Sequence, residues 1–445
     1  MTFRAVVPLL CALLASAQDS PRADSSAKPL SLKPERKIEF ETTEATWMSV
    51  DVSPDGGTLL VELDGDIYTL PMAGGEAKPL LTGMAFESQA KWSPDGAKIA
   101  FLSDRNGAEN LWIANADGSS PKALSKERQA KFVSPVWTPD GRFVLVSRST
   151  PNSGTYEIWI YGVNGGSAVQ LTKATPAGAP ATPPTPPAQR LNSLGASLSP
   201  DGRYLYYARR NGTFSYNATF PLWQIVRKDR DTGEEDVITS EGGSAFKPVI
   251  SPDGKLLVYG TRYETETGLR VRTLSTGEDR WLKYPIQRDD QESAASRDVL
   301  PSYSFTPDGR AIVANYGGKL HRVEIANGAD STIPFHAKVS LDLGPLLDFQ
   351  ESVEDGPMVT SRLIMGAVPS PDGTKIALSA LGHLYVVSGG RPARITKSTA
   401  REYQPAWSPD GRTLAYVTWD SNAGQIWKVV ADGTGVPQQV TTVSG

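Results

Sequence analysis

One four-residue string constrains this 445-residue chain more than anything else in it. Ser/Thr-Pro-Asp-Gly occurs eight times, beginning at Ser53, Ser93, Thr138, Ser199, Ser251, Thr306, Ser370 and Ser408, at spacings of 40, 45, 61, 52, 55, 64 and 38 residues. Proline presets φ for the second position of a type I turn, aspartate accepts the third, and glycine takes the left-handed position that closes a short hairpin loop. Each string is therefore a β-hairpin turn, and apolar segments flank it, as in Ala90–Trp92 before the second turn and Ile99–Leu102 after it. Bulky residues at consecutive positions predict strands buried on both faces.

An Ile/Leu-aromatic pair further along each unit marks a third strand: Ile67-Tyr68, Leu111-Trp112, Ile158-Trp159, Leu222-Trp223, Leu384-Tyr385 and Ile426-Trp427. A fourth short strand follows at Leu124-Ser125, Leu171-Thr172, Ile395-Thr396 and Val440-Thr441. Four antiparallel strands per 40 to 60 residues make a propeller blade, so the expected fold is an all-β propeller of four-stranded blades with eight repeats visible. A β-sandwich is the alternative. A helical solenoid is excluded, because no unit carries a ten-residue stretch of 3.6 periodicity. Lys37–Thr43 alternates as a further strand before the first repeat, and the last repeat supplies its own outer strand at Gln438–Thr442. Two strands then compete for one closing position, which predicts an array that is incomplete within these residues.

Composition narrows the chemistry. The 41 Gly and 34 Pro exceed the roughly 31 and 22 that average usage gives a chain this long, as a turn-rich fold requires. A net charge of −4 provides no drive toward nucleic acid. Three separated histidines, His321, His336 and His383, and one cysteine, Cys11, cannot build a multi-histidine or cysteine metal centre. No serine-hydrolase elbow, His-Glu-x-x-His string or phosphate-binding loop occurs, so no catalytic motif and no cofactor are assigned. Asp289, Asp290 and Glu292 read as a solvated acidic loop.

At the N-terminus, Arg4, the apolar run Ala5–Leu14 and Ala15-Ser16-Ala17 read as a cleavable signal over residues 1–17. The run is too short to span a bilayer, so no transmembrane span is expected after cleavage. Residues 18–35, with Pro21, Pro29 and Pro34, read as a flexible tether, and 36–445 as the propeller. The location expected is periplasmic or secreted.

The unit Trp92-Ser93-Pro94-Asp95-Gly96, Phe101-Leu102-Ser103-Asp104-Arg105, Asn110-Leu111-Trp112-Ile113 resembles the TolB-type (WD40-like) propeller repeat of exported bacterial proteins. Gly65-Asp66-Ile67-Tyr68, Gly83-Met84-Ala85-Phe86 and Ala380–Tyr385 resemble more closely the N-terminal propeller region of exported amidohydrolase-like proteins. That resemblance implies a non-catalytic binding or docking module in front of a metal-dependent hydrolase domain. A TolB-like envelope scaffold and a stand-alone hydrolase are the alternatives.

Strand parity places every Ser/Thr-Pro-Asp-Gly turn at one end of the propeller. The long insertions 173–190, 211–221, 285–300 and 335–362 then fall at the other, the looped end, where a protein or peptide partner or a C-terminal hydrolase domain would dock. Arg105, Arg148, Arg209, Arg210 and Arg262 close the second strands of four successive units and should emerge there. Guanidinium groups bind carboxylate or phosphate through paired planar hydrogen bonds, so these five are the candidate ligand or partner-binding residues.

Overall fold

The computed structural model describes residues 33–442, apart from 151–153, 177–185, 216–219, 289–299, 347–355, 358–359 and 421–422. The predicted signal, most of the tether and the acidic loop at 289–292 lie outside the described residues. All eight repeats form four-stranded antiparallel sheets in the order inner, second, third, outer strand, as the turn spacing predicts. The chain divides into two compact units, residues 1–346 and 347–445.

Each turn follows one hydrogen-bond plan. In the first, Ser53 Oγ donates to Asp55 Oδ1 (2.6 Å), which also accepts the Gly57 N–H (2.9 Å), while Ser53 Oγ accepts the Thr58 N–H (2.9 Å). The hydroxyl-to-carboxylate bond recurs in all eight turns. The glycines adopt φ between 66° and 75°, the left-handed region that a residue with a Cβ enters only under strain.

The first unit holds six blades: Val50–Leu81, Glu87–Ala123, Phe132–Gln170, Leu191–Val237, Phe246–Arg288 and Ser304–Ile333. Their turns form a closed circle in which each glycine backs onto the proline of the preceding turn. A Cβ built on Gly96 would lie 3.7 Å from Pro54, one on Gly141 3.9 Å from Pro94, one on Gly254 3.1 Å from Pro200 and one on Gly309 3.7 Å from Pro252. The circle closes where Gly56 of the first turn meets Pro307 of the sixth at 3.5 Å. Packing closes at the same place: Leu59 on one face of blade 1 and Leu320 on one face of blade 6 share a single core, and both are fully buried.

Side chains of one blade also satisfy inner-strand amides of its neighbour. The inner strands of blades 2 to 5 bulge at Gln89, Ser134, Gly195 and Lys247, all with positive φ. A bulge removes ladder partners from nearby N–H groups, and buried N–H groups need others. Glu62 accepts from Gln89 N (3.1 Å), Gln89 from Ser134 N (2.8 Å), Ser147 from Gly195 N (2.9 Å) and Ser197 from Ile250 N (3.1 Å). At the closing seam Asn315 Oδ1 accepts from Met48 N (3.1 Å).

The seam carries an outer strap that sequence reading misplaced. Residues 335–362 were expected as a loop, yet Phe335–Leu343 is a strand lying parallel to the outer strand Gly75–Leu81 of blade 1. The N-terminal strand Arg36–Thr42 pairs antiparallel with it, giving blade 1 a six-stranded sheet. The N-terminal strand thus competes with no outer strand of the last repeat. In blade 4 the third strand is Gln224–Asp229, and the Leu222-Trp223 pair read as that strand precedes it. Trp223 instead is buried and donates its indole N–H to Ser215 O (2.8 Å).

The second unit contains two blades, Ile364–Arg394 and Arg401–Gln439, whose shared seam is built from Ala377, Leu384, Val386, Leu414, Tyr416 and Val429.

Candidate functional site

The six inner strands of the first unit surround a cavity of about 320 Å³. Its wall is mostly small or apolar, and an ion pair in it, Lys91 to Asp51 at 3.0 Å, is tied down further because Asp51 also accepts the Trp92 N–H at 2.9 Å. This geometry braces blades 1 and 2 against each other.

The second strands run away from the turn circle, so the arginines that close them stand at the looped end, in blades 2 to 5. Each is anchored locally. Arg105 meets Glu87 at 2.6 Å and lies over the Trp112 ring at 5.2 Å. Arg148 meets Glu127 at 3.0 Å and covers Trp159 at 4.4 Å. Arg209 pairs with Glu235 at 2.7 Å. Arg210 donates to the carbonyls of Pro221 (2.7 Å) and Thr213 (2.5 Å), holding a loop. Arg262 is buried against the Phe246 ring. Arg105, Arg148 and Arg209 keep 22%, 18% and 23% of their side chains exposed, but only the carboxylates facing the last two, Glu127 at 35% and Glu235 at 29%, are open enough for an incoming anion to displace, since Glu87 is 1% exposed.

The residues that sequence reasoning passed over are acidic. Asp64-Gly65 is a two-residue hairpin turn with φ of 49° and 90°, but Asp66 directly after it is only 1% exposed. Burial pushes its carboxyl up to about 7, assisted by the charges of Glu87, Asp342 and Asp64, while a hydrogen bond from the Gly83 backbone opposes the shift. Glu87, also 1% exposed, is raised chiefly by burial in spite of its bonds from Arg105 and Ser103. One oxygen of each, Asp66 Oδ2 and Glu87 Oε2, has no hydrogen-bond partner. The same blade position holds neutral amides at Asn110 and Gln224, which lock the outer strand: Asn110 Oδ1 accepts from Ser125 Oγ (2.7 Å) and Gln224 Oε1 from Thr239 Oγ1 (2.8 Å). The Asp66 position carries another buried carboxyl, Glu157, in blade 3, Lys319 in blade 6 and His383 in blade 7, so residue type there gave no signal.

The histidines take structural places. His321 stacks on Tyr316 at 3.7 Å, and burial lowers its basicity. His336 bonds Glu41 at 3.1 Å between the two strap strands. In the second unit His383 lies 3.8 Å from the buried Glu402, whose Oε2 accepts from Leu384 N (2.9 Å) and Thr396 Oγ1 (2.6 Å). Among the described residues no group of three His, Cys, Asp or Glu is placed to hold a metal ion.

A closed ring of four-stranded blades, turns at one end and charged strand ends at the other, defines a β-propeller. Residues 35–213 match the family model for the TolB beta propeller domain. Among curated relatives, the chain is 40% identical over 107 residues to the Tol-Pal system protein TolB of Anaeromyxobacter dehalogenans, 24% of each chain. It is 27% identical over 203 residues to an uncharacterized peptidase, YuxL, of Bacillus subtilis, covering 45% of this chain and 26% of that protein. Among solved structures, TolB from Acinetobacter baumannii superposes with a TM-score of 0.48 at 17% identity, covering 65% of each chain. The chain thus spans about a quarter of the length of these two curated relatives.

Proposed function

We propose that this chain is an exported, non-catalytic docking propeller, periplasmic or secreted, that engages a protein or peptide partner through its looped end. The observation that carries this reading is the asymmetry of the two ends. Six glycine-on-proline contacts seal one end into a plain circle, whereas the other receives links and loops of variable length and the strand ends that carry Arg148 and Arg209. Carboxylates on a partner would replace Glu127 and Glu235 on those two arginines. In the fuller form of this reading the propeller is the N-terminal part of an amidohydrolase-like hydrolase, and the docked partner is the hydrolase domain itself.

A second reading, a TolB-like envelope scaffold, is favoured by the match of residues 35–213 to the TolB propeller and by the 40% identity to a TolB protein. In that case the partner is an envelope lipoprotein rather than a hydrolase domain.

Changing Arg148 and Arg209 together to Gln tests the shared core of both readings. A lost charge-assisted hydrogen bond is worth about 1.5–3 kcal/mol, so affinity for an acidic peptide should fall about tenfold or more, and its dependence on ionic strength should weaken. Wild-type binding that is absent, or that ignores both the substitutions and added salt, refutes docking through these residues. Recovery of peptidoglycan-associated lipoproteins by the immobilised chain selects the scaffold over the hydrolase form.

A further inference from the structure

Equivalent positions in the eight blades report which blade faces are covered. The third residue after each turn glycine points toward the preceding blade. Leu59, Ile99, Val144, Leu205, Leu257, Ile312 and Leu414 there are all 0% exposed, whereas Ile376 in blade 7 is 44% exposed. The Ile or Leu of the third strand that precedes its aromatic or equivalent position points toward the following blade. Ile67, Leu111, Ile158, Ile225, Leu320 and Leu384 are all 0% exposed, but Ile426 in blade 8 is 43% exposed, flanked by Val430 at 42% and Trp419 at 66%. The turns agree: a Cβ on Gly411 would lie 3.5 Å from Pro371, but one on Gly373 would meet nothing within 4 Å. Blades 7 and 8 therefore cover each other on one side each and leave two open faces of opposite kind.

We propose that blades 7 and 8 belong to a second propeller ring, and that both open faces are seats for further blades of the same Ser/Thr-Pro-Asp-Gly repeat, supplied by the polypeptide downstream of the strand Gln438–Gln439. The occupant is specified by what fills the same positions in the first unit. There the seat beside Leu384's counterparts is filled by the next blade in chain order, and the seat beside Leu59 is filled by the last blade of the ring. Ile426 is the seat for the next blade in order, and Ile376 with Gly373 is the closing seat. A blade arriving at the closing seat would place its turn proline on Gly373, as Pro307 sits on Gly56. The first ring closes with six blades, and a ring of that size would take about four more here; known propellers have about four to eight. This inference stands on the exposed faces and does not depend on the partner proposed above.

The experiment reads the frame beyond the codon for Gly445, expresses the chain through it, and compares hydrogen exchange of the peptides around Ile376 and Ile426 with the 445-residue chain. The expected result is a frame carrying further Ser/Thr-Pro-Asp-Gly strings at 40- to 60-residue spacing, with exchange at both faces slowed at least tenfold in the longer chain. An Ile376→Lys variant of the longer chain should lose that protection at the closing seat while blades 1 to 6 keep theirs. A frame that ends, or runs on without the string, overturns the proposal. So does a 445-residue chain that assembles into head-to-tail oligomers dissociated by Ile376→Lys, since copies of the unit would then fill the seats. Unchanged exchange at both faces in the longer chain overturns it as well.

Discussion

Replacing Asn315 with Leu should open the first ring at the seam between blades 6 and 1. The Asn315 amide does two jobs with one planar group: Oδ1 accepts from Met48 N at 3.1 Å, and Nδ2 donates to Lys319 O at 3.0 Å. Met48 is fully buried and Asn315 is 7% exposed, so water cannot replace either bond without local opening. Leaving two backbone groups unpaired costs about 1–3 kcal/mol each, and the added apolar surface of leucine returns about 1–2 kcal/mol. The net loss is about 2.5 kcal/mol, or about sixtyfold in the opening equilibrium. Asn115→Leu serves as a control, since its amide bonds Ser119 Oγ at 2.9 Å in an exposed turn and the change should cost under about 0.5 kcal/mol. Native-state hydrogen exchange on the full chain reads both the size and the place of the effect. Peptides spanning Met48–Val52 and Leu300–Phe305 should accelerate, while those of blades 3 and 4 hold. A loss no larger than the control's, or acceleration spread evenly over six blades, would refute closure through this amide.

Three further outcomes follow from other parts of the molecule. The turn aspartates are held below their ordinary value of 3.8 by the Ser or Thr hydroxyl and a backbone N–H, Asp140 and Asp372 down to about 2. A depressed folded-state value contributes stability above the unfolded value and loses it as pH falls toward 2, so Asp140→Asn should lower Tm at pH 7 and leave it unchanged near pH 2. Asp66 runs the other way: with its carboxyl raised to about 7, its contribution is present below pH 3.8 and lost as pH rises through 7. Asp66→Asn should therefore gain Tm relative to the parent chain between pH 5 and 8, and a constant difference across that range would count against a buried, protonated acid. Gly254→Ala and Gly373→Ala share φ of 72° and 71°, so both should carry the left-handed penalty of about 1 kcal/mol, measured by urea denaturation. Only the Gly254 variant also presses on a neighbouring proline, at 3.1 Å, and equal losses would show that the turn circle adds nothing to glycine's conformational role.

The blades were legible because their signals are local. A turn that needs proline, aspartate and glycine at consecutive positions writes itself into four residues, and the alternation of strands follows from it. Ring closure is not local. Whether blade 6 meets blade 1 or blade 7 depends on small rotations accumulated over about 300 residues, and no single residue encodes that sum. The strap shows the same limit. Phe335–Leu343 sits in a segment that looks like a long loop, since its partners, Gly75–Ala77 and Arg36–Thr42, lie some 260 to 300 residues away in sequence. Its alternation of buried Phe335, Ala337 and Val339 with half-buried or exposed His336 and Lys338 was present all along, but a single strand without a turn beside it gives no reason to seek a partner.

The looped end was harder to read, because charge there is settled by neighbours. Arginines closing four successive strands could be placed on one end from parity alone, yet what each guanidinium meets is decided by residues such as Glu127 and Glu235, which belong to blade links and outer strands. Asp66 and Glu87 escaped notice for the opposite reason: each sits at the start of a strand, where acidic residues ordinarily face water. Their burial comes from blade 2 arriving beside the Asp64-Gly65 turn, with Glu87 N–H donating to Gly65 O at 2.6 Å and Phe86 packed so close to Gly65 that a Cβ there would lie 2.6 Å from its ring. Gly65 therefore does more than turn the chain. Without a side chain it lets the neighbouring blade approach closely enough to seal two carboxyls from water, and that approach, rather than either acid alone, makes Asp66 a proton-binding group near neutral pH.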